Sequence, residues 1–448
     1  MSSPVSGAKM SSASIATPAA ASSTTGLTRN QRRGFLAAWG GWALDGMDAS
    51  IYALVLVPAL TELLPSSGIA VNQGSVGYYG SILQAMFLLG WGLSMVWGPI
   101  SDRVGRVRAL MLTILCYSLF TFLCGLTNNI WQLAILRVLV GIGIGGEQPV
   151  GAAYLAEELS EGQRKIGAGL MHTGYYFGFF FASVANYFIG ANYGWRWMFL
   201  FGGIPALLIG FIRYGVREST KWQERFGQDV RKRPKMRDAF ATIFSPTYRR
   251  RTLVMSGLFL ASIIGLWAGS IYVPTAVTQV AVRTGSAPAD AARLASYGGM
   301  LLAFGTIVGC IFAPFLAERV GRRRAMAVFF AIMGVSIVVS FGYVFYLTTA
   351  ALAWFYVCVF FLGFGGANFA LYTLWLPEQY TTDCRASAIA FVSSVGRFVG
   401  VAMVFILANG IRSYGSLGVP VAVTAAAFVF GLLLLPLADE TRGKSLPA

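Results

Sequence analysis

The sequence predicts an all-α membrane protein, with twelve transmembrane helices in two pseudo-symmetric six-helix bundles. Three observations predict it. Of 448 residues, 56% are hydrophobic and only 12% charged, with a mean hydropathy of +0.65; a soluble chain would carry roughly a quarter charged. Apolar runs long enough to cross a hydrocarbon core of about 30 Å recur along the whole chain. Loop motifs that follow these runs in the first half return in the second half.

The runs lie near 35–60, 75–100, 108–127, 130–155, 165–190 and 195–216, then near 252–281, 293–317, 324–347, 351–376, 385–410 and 416–438. They are continuous rather than alternating, which excludes barrel strands. Residues 1–28 are rich in Ser, Ala and Thr, lack an apolar core of signal-peptide length and read as a disordered cytoplasmic tail. Residues 29–216 make the N-terminal bundle, 217–251 a cytoplasmic linker, 252–438 the C-terminal bundle and 439–448 a cytoplasmic C-terminus. The polar stretch from Val216 to Arg251 holds eleven basic and four acidic residues. It is expected to serve as a spacer with an amphipathic surface segment.

The net charge of +16 would suggest nucleic acid in a soluble protein. Its distribution points elsewhere. With a cytoplasmic N-terminus, the inside segments hold 27 of the 34 Lys and Arg, the outside loops four, and the spans or their edges three. This positive-inside bias places both termini in the cytoplasm and makes nucleic-acid binding unexpected. Four of the five cysteines fall inside spans, and neither a CxxC pair nor a Cys/His cluster occurs, so no metal site or disulfide framework is expected.

"GPISDRVGRVR" (98–108) follows span two and "APFLAERVGRRR" (313–324) follows span eight; Asp102 and Glu318 are 216 residues apart. "AEELSEGQRKIGAG" (156–169) and "PEQYTTDCRASAIA" (377–390) follow spans four and ten, with Glu157 to Glu378 and Arg164 to Arg385 each 221 apart. Duplicated halves of this kind place substrate in the cleft between them. The pattern of Gly98, Asp102, Arg103, Gly105 and Arg106 resembles the loop signature of the major facilitator superfamily, over essentially residues 30–445. The second copy, with Glu318, Arg319, Gly321 and Arg322, departs in having Ala313 for the leading Gly and Glu for Asp. The resemblance implies that these loops latch the halves on the cytoplasmic side. A carboxylate at Asp102 suits the positive N-terminal end of span eleven, near Arg385. The alternative is that Arg103, Arg106 and Arg108 act only as topology determinants.

Span one carries two carboxylates, Asp45 and Asp48, at its middle. Each costs about 2.5–3.5 kcal/mol at a helix centre, so they are expected to face protein or water and to be used. The i,i+3 spacing puts both on one face. Sharing a cavity, they repel, and a proton on one of them relieves the repulsion. The D-G-x-D pattern resembles aromatic-acid/proton symporters, and more loosely sialic-acid and phosphate symporters. That resemblance implies proton coupling at Asp45 and Asp48, with the deeper Asp48 preferred.

In span four, Gly141, Gly143, Gly145 and Gly146 imitate a dinucleotide fingerprint, but no strand precedes them; Gly141 and Gly145 instead form a GxxxG packing face. Arg137 matches the superfamily's fourth-span arginine, which the resemblance links to proton coupling. Glu147 is a further membrane carboxylate, either a relay or a partner of Arg137. Span five carries the only histidine, His172, a proton candidate by its ordinary titration range. Tyr175 and Tyr176, one turn on, offer ring and hydroxyl contacts toward a cavity. In span ten, Asn368, Tyr372 and Trp375 form an i, i+4, i+7 stripe. Gln84 in span two and Trp267 in span seven are further substrate contacts. Arg397, about twelve residues inside span eleven, needs an anionic partner, and a guanidinium suits carboxylate or phosphate.

The function expected is a proton-coupled symporter of a small organic anion working by alternating access, a monomer in the plasma (inner) membrane with no cofactor beyond the proton gradient. A sugar or polyol porter is the alternative: "PEQYTTDCR" and "DETRGKSL" resemble sugar porters, yet the paired glutamines of span seven are missing. Drug antiport sits badly with Arg397. One histidine offers no nucleophile–base or metal constellation for an enzyme, and a receptor would extend a longer signalling tail.

Overall fold

A computed structural model describes residues 26–227 and 236–447. In chain order its helices are α1 (Arg29–Ser66), α2 (Gln73–Leu93), α3 (Trp97–Val104), α4 (Arg106–Cys124), α5 (Ile130–Glu158), α6 (Glu161–Ala185), α7 (Ala191–Tyr193), α8 (Trp195–Phe201), α9 (Ala206–Gly215), α10 (Thr220–Phe226) and α11 (Met236–Ile243). The second half continues with α12 (Arg249–Ile271), α13 (Val273–Arg283), α14 (Pro288–Val320), α15 (Arg322–Ile337), α16 (Ala351–Gly366), α17 (Asn368–Trp375), α18 (Arg385–Tyr414), α19 (Gly418–Val423) and α20 (Ala426–Leu434). Ten described segments are long and apolar enough to cross a membrane. The other two expected spans, 165–190 and 252–281, are occupied by α6 and by α12 with α13.

Local chemistry sets the helix limits. Thr28 caps α1 by accepting from the Gln31 N–H at 3.2 Å, and Gln31 returns the bond to Thr28 N at 2.9 Å. Asn72 starts α2 and Asn129 starts α5 in the same way, each accepting from a backbone N–H three residues on. Several expected spans are broken pairs. The seventh pauses at Tyr272, just before Pro274, where proline withholds a backbone donor. The tenth pauses at Ala367, after Gly365 and Gly366. Pro274 and Gly366 both line an internal cavity, where irregular backbone is tolerated at membrane depth.

Buried side chains sort into two large apolar cores. One draws on residues 37–216. The other draws almost entirely on residues 243–438. Within the first half α1 packs on α6 and α5, and α5 on α2 and α4; within the second, α14 packs on α16 and α12 on α18. Two seams join the halves: α18 runs against α2 and α3, and α6 runs against α14 and α17. Close helix approach depends on small residues. A Cβ at Gly141 would drive into the Phe87 carbonyl and meet the Trp91 N at 2.8 Å.

Gly141→Val is therefore expected to lower stability by about 1–3 kcal/mol. Gly299→Ala, where no atom lies within 4 Å of a new Cβ, should leave it unchanged or slightly raised. Thermal unfolding of the purified protein in one detergent compares them.

Candidate functional site

Each half builds a buried ion cluster at its motif loop. α3 turns into α4 at Gly105 (φ 107°), and α14 turns into α15 at Gly321 (φ 93°), conformations that only glycine adopts freely. Arg106 and Arg322 start the following helices and fold back. Arg106 donates to Asp102 at 2.8 Å and to both oxygens of Glu157 at 3.1 and 2.9 Å. Arg322 repeats this with Glu318 at 2.5 Å and Glu378 at 3.1 and 3.0 Å. The turn geometry survives the departures of the second copy because it rests on Gly321 and the arginine, which both copies keep.

A third matched pair completes the clusters and was not anticipated. Glu218 accepts from the N–H groups of Arg106 and Val107 at 2.8 and 3.2 Å, and Glu440 from those of Arg322 and Arg323 at 3.0 and 3.1 Å. Ser219 and Thr441 donate to Glu157 and Glu378, each at 2.6 Å. Burial pushes the Glu218 carboxyl above its ordinary range despite these donors. Burial works the same way on Glu440, but four backbone N–H groups hold it below that range. The sequence signal was present in "VREST" (216–220) and "ADET" (438–441), again a matched acid followed by a hydroxyl residue. Glu218 lies in the stretch expected to be a spacer. The linker instead takes part in the cluster, since Trp222 also donates to the Asp102 carbonyl at 2.9 Å and Arg225 pairs with Asp383.

These clusters tie the halves together on one face. Asp102 accepts from the N–H groups of Ala386 and Ser387 at 3.3 and 2.9 Å and from the Ser387 hydroxyl at 2.5 Å, so a carboxylate does sit on the N-terminal end of α18. Arg385 corrects the expectation that it attends Asp102: its partner is Glu157 at 2.8 Å, because Asp102 is already filled by Arg106 and α18. Arg164 bridges to Glu378 at 2.9 Å and Lys165 to Glu318 at 2.7 Å across the opposite seam. Gly98 lets α3 lie on α18, since a Cβ there would fall 2.5 Å from Ser387 Cα. Arg103 and Arg319 are exposed and stand outside the cluster, as charges that mark the face.

Cavities lie on the other side of the seams. One of about 870 Å³ is lined by Tyr52, Asn72, Ser81 and Gln84 from the first half and by Tyr272 and Met403 from the second. Asn72 precedes α2, so this cavity reaches the face opposite the ion clusters. A second, of about 390 Å³, shares Gln84 and adds Ser50, Phe87, Tyr175, Tyr176 and Thr306. Beneath it a chamber of about 70 Å³ shares Tyr175 and Tyr176 and is closed by Trp42, Trp91, Gln148, His172, Phe369 and Arg397. Arg397 is 6% exposed, its guanidinium 4.1 Å from the Trp91 ring centroid, and its Nε and Nη1 have no hydrogen-bond partner. The Trp42 indole N–H is unpartnered too. His172 stacks on Phe369 across the seam, centroids 6.1 Å apart. The unpartnered buried groups of this chamber are therefore all donors.

The structure corrects the placement of the acids. Asp45, Asp48 and Glu147 are fully buried inside the first half and line none of these cavities. Among the described residues no group stands in hydrogen-bond geometry to any of the four oxygens of Asp45 and Asp48, with the Thr121 hydroxyl lying beside Asp48. Glu147 accepts from Thr113 at 2.7 Å and presses on Gly41 of α1. Arg137 does not hydrogen-bond an acid through Nε or Nη2; it is sandwiched between the Tyr52 and Phe87 rings at 4.0 and 4.2 Å. Those same rings line the cavities, so an aromatic layer divides the charged cluster from the cleft. The face of α1 that carries the aspartates turns inward because Gly46, between them, packs on the Tyr175 carbonyl of α6.

Span ten is corrected as well. Asn368 and Tyr372 lie in the second half's interior, Asn368 donating to the Gly365 carbonyl at 2.9 Å and Tyr372 sharing a 3.0 Å bond with Ser262. The side chain of Trp267 lies outside the described residues. Sequence reasoning missed Trp42, Trp91, Gln148 and Phe369, whose types are common in membrane helices and carry no spacing signal.

The model of the Major Facilitator Superfamily matches residues 35–405, and the chain belongs to that superfamily. It is similar, at 30% identity over 92% of this chain and 91% of the relative, to a probable 4-methylmuconolactone transporter of Cupriavidus pinatubonensis. At 26% identity, over 91% of this chain and 93% of the relative, it is similar to the niacin transporter NiaP of Acinetobacter baylyi. Among solved structures, the proton:xylose symporter XylE of E. coli superposes with a TM-score of 0.74 at 18% identity, covering 93% of this chain and 98% of that one. That last likeness concerns the fold alone. The chain is a multi-pass membrane transporter and not an enzyme.

Glu157 serves two arginines at once, so Glu157→Gln should loosen the clustered face. A cysteine placed at Ser394, which faces Ser94 across the seam at 3.1 Å, is expected to react with a membrane-impermeant thiol reagent from that face about tenfold faster in the variant. Unchanged labelling would show that the cluster does not hold the seam shut.

Proposed function

We propose that this superfamily member is a proton-coupled symporter of a small organic anion, a flat or aromatic carboxylate, working by alternating access in the inner membrane. The observation that carries this reading is the donor-lined aromatic chamber around Arg397. A guanidinium without an anion at membrane depth is costly, and a carboxylate cargo would accept from it in a forked pair while its plane stacks on Trp42, Trp91 or Phe369. The names of the relatives fit such a cargo. A neutral sugar would leave the guanidinium unpaired.

Alternating access follows from the seams. The clustered face is the one the charge distribution assigns to the cytoplasm, so the conformation is closed inward with its cavity facing outward. Both termini are then cytoplasmic. Cargo reaches Arg397 through the larger cavity, and opening inward requires breaking the Asp102–Ser387, Glu157–Arg385 and Arg164–Glu378 contacts.

Protons are carried by the acids of the first half, with Asp48 preferred. Buried carboxylates without donors favour taking up a proton over remaining charged. Access from the cleft requires the Tyr52 and Phe87 layer to move. Coupling runs through the contact of Gly46 with the Tyr175 carbonyl: Tyr175 lines the chamber, so cargo that shifts α6 also shifts the helix holding Asp45 and Asp48. Arg137 and Glu147 set the local charge balance, and His172 sits beside the chamber as a cargo contact. Lys165 and Glu318 belong to the gate with the buried pairs.

Two measurements test this. In proteoliposomes with an imposed pH gradient and a panel of aromatic carboxylates, Arg397→Gln should weaken cargo binding by about ten- to a hundredfold, the loss expected for a charged hydrogen bond; equal affinity in the variant would refute an anion at this site. Asp48→Asn should abolish proton-driven accumulation while cargo exchange persists, and accumulation at the unaltered level would remove Asp48 from the coupling.

A further inference from the structure

A second basic cavity lies away from the cleft, at the lipid-facing corner of the first half. It measures about 510 Å³ and is formed where α1 begins and α9 ends. Arg29, Arg33 and Arg217 line it, and no acidic residue does. Arg33 donates weakly to the Gly215 carbonyl at 3.4 Å. The side chains of Arg29 and Arg217 make neither a hydrogen bond nor an ion pair among the described residues. The wall is fixed from behind, since Asn30 accepts from the Arg217 N–H at 2.9 Å and donates to Glu158 at 2.6 Å. Glu158 and Glu218 are engaged elsewhere, Glu158 by Asn30 and Glu218 by the N–H groups of Arg106 and Val107.

An apolar track leads out of this cavity toward the membrane interior. Leu207, Phe211 and Tyr214 fall at i, i+4 and i+7 on α9 and are all exposed, Leu207 at 77% and Tyr214 at 87%. Opposite, on α1, Leu36 stands one turn beyond Arg33 and is exposed as well. On α9, Gly210 has no atom within 4 Å of where a Cβ would be. An exposed apolar face of α9 thus adjoins the three arginines through Tyr214, which itself lines the cavity and stands at the polar boundary where tyrosines settle. Positive charge at the interface joined to an apolar face is complementary to one kind of molecule, an anionic phospholipid.

We propose that this corner binds a phospholipid whose anionic phosphate headgroup is held by Arg29, Arg33 and Arg217, with one acyl chain lying along α9. The site is independent of the cleft and of the cargo. It fastens the start of α1, the helix that carries Asp45 and Asp48, to the end of α9 through a shared ligand.

Native mass spectrometry of the full chain in detergent tests it, with phosphatidylglycerol titrated in. The variant Arg29→Gln with Arg217→Gln breaks no side-chain hydrogen bond or ion pair among the described residues. It is expected to bind phosphatidylglycerol about tenfold more weakly than the wild type. A charge-matched control on the same face, Arg249→Gln with Arg324→Gln, should keep wild-type affinity. Phosphatidylcholine should show no difference among the three proteins. Equal phosphatidylglycerol affinity in wild type and the first variant would overturn the site, as would an equal loss in the control. Displacement of the lipid by soluble glycerol phosphate at matched concentration would overturn the lipid assignment in favour of a free anion.

Discussion

One carboxylate, Glu157, holds the closed face together. It accepts from Arg106 of its own half and from Arg385 of the other, all three side chains removed from water. Inside a low-dielectric seam, removing Glu157 would leave Arg385 without a carboxylate partner and Arg106 with Asp102 alone, a costly loss of charge compensation. The approach of α3 to α18, the seating of Asp102 on the start of α18, and the exclusion of water from that face all presuppose this three-way contact. The cleft can open only on the opposite side while it persists. Its pseudo-symmetric counterpart, Glu378 with Arg322 and Arg164, constrains the second seam in the same manner.

Two populations of buried charge therefore coexist, and they differ in satisfaction. In the clustered face nearly every donor meets an acceptor, so burial there costs little and favours one arrangement. Deeper in the membrane the opposite holds: Asp45, Asp48 and Arg397 keep polar atoms unpaired. A fold retains such costly groups where a ligand or proton completes them. The paired set joins the two halves on one face, and the unpaired set is where the proposed cargo and proton would bind. An aromatic layer, Tyr52 and Phe87 around Arg137, separates the buried acids of the first half from the cleft.

Much of this was legible from particular residues. The 216- and 221-residue offsets identified equivalent charged residues in the two halves but not their partners, because duplicated charge at loop ends survives in one dimension and pairing does not. Arg397 stood out because a guanidinium inside an apolar run has no inexpensive explanation. Asn368 and Tyr372 misled, since a polar-aromatic stripe marks a helix face without saying which neighbour it meets. Glu218 and Glu440 were overlooked because residues beyond the last helix of each half look like linker and tail until folding brings them over the motif turns.

The sequence by itself determined the membrane environment, the helix count, the duplication and the identity of the costly charges, because apolar length, loop charge and intramembrane ionisable groups are set by composition along the chain. Only the tertiary structure decided which side of α1 turns inward, which acid Arg385 takes, and which aromatic residues close around Arg397. Those choices depend on how two bundles meet across a seam, and a helical period places residues on a common face without specifying what that face will touch.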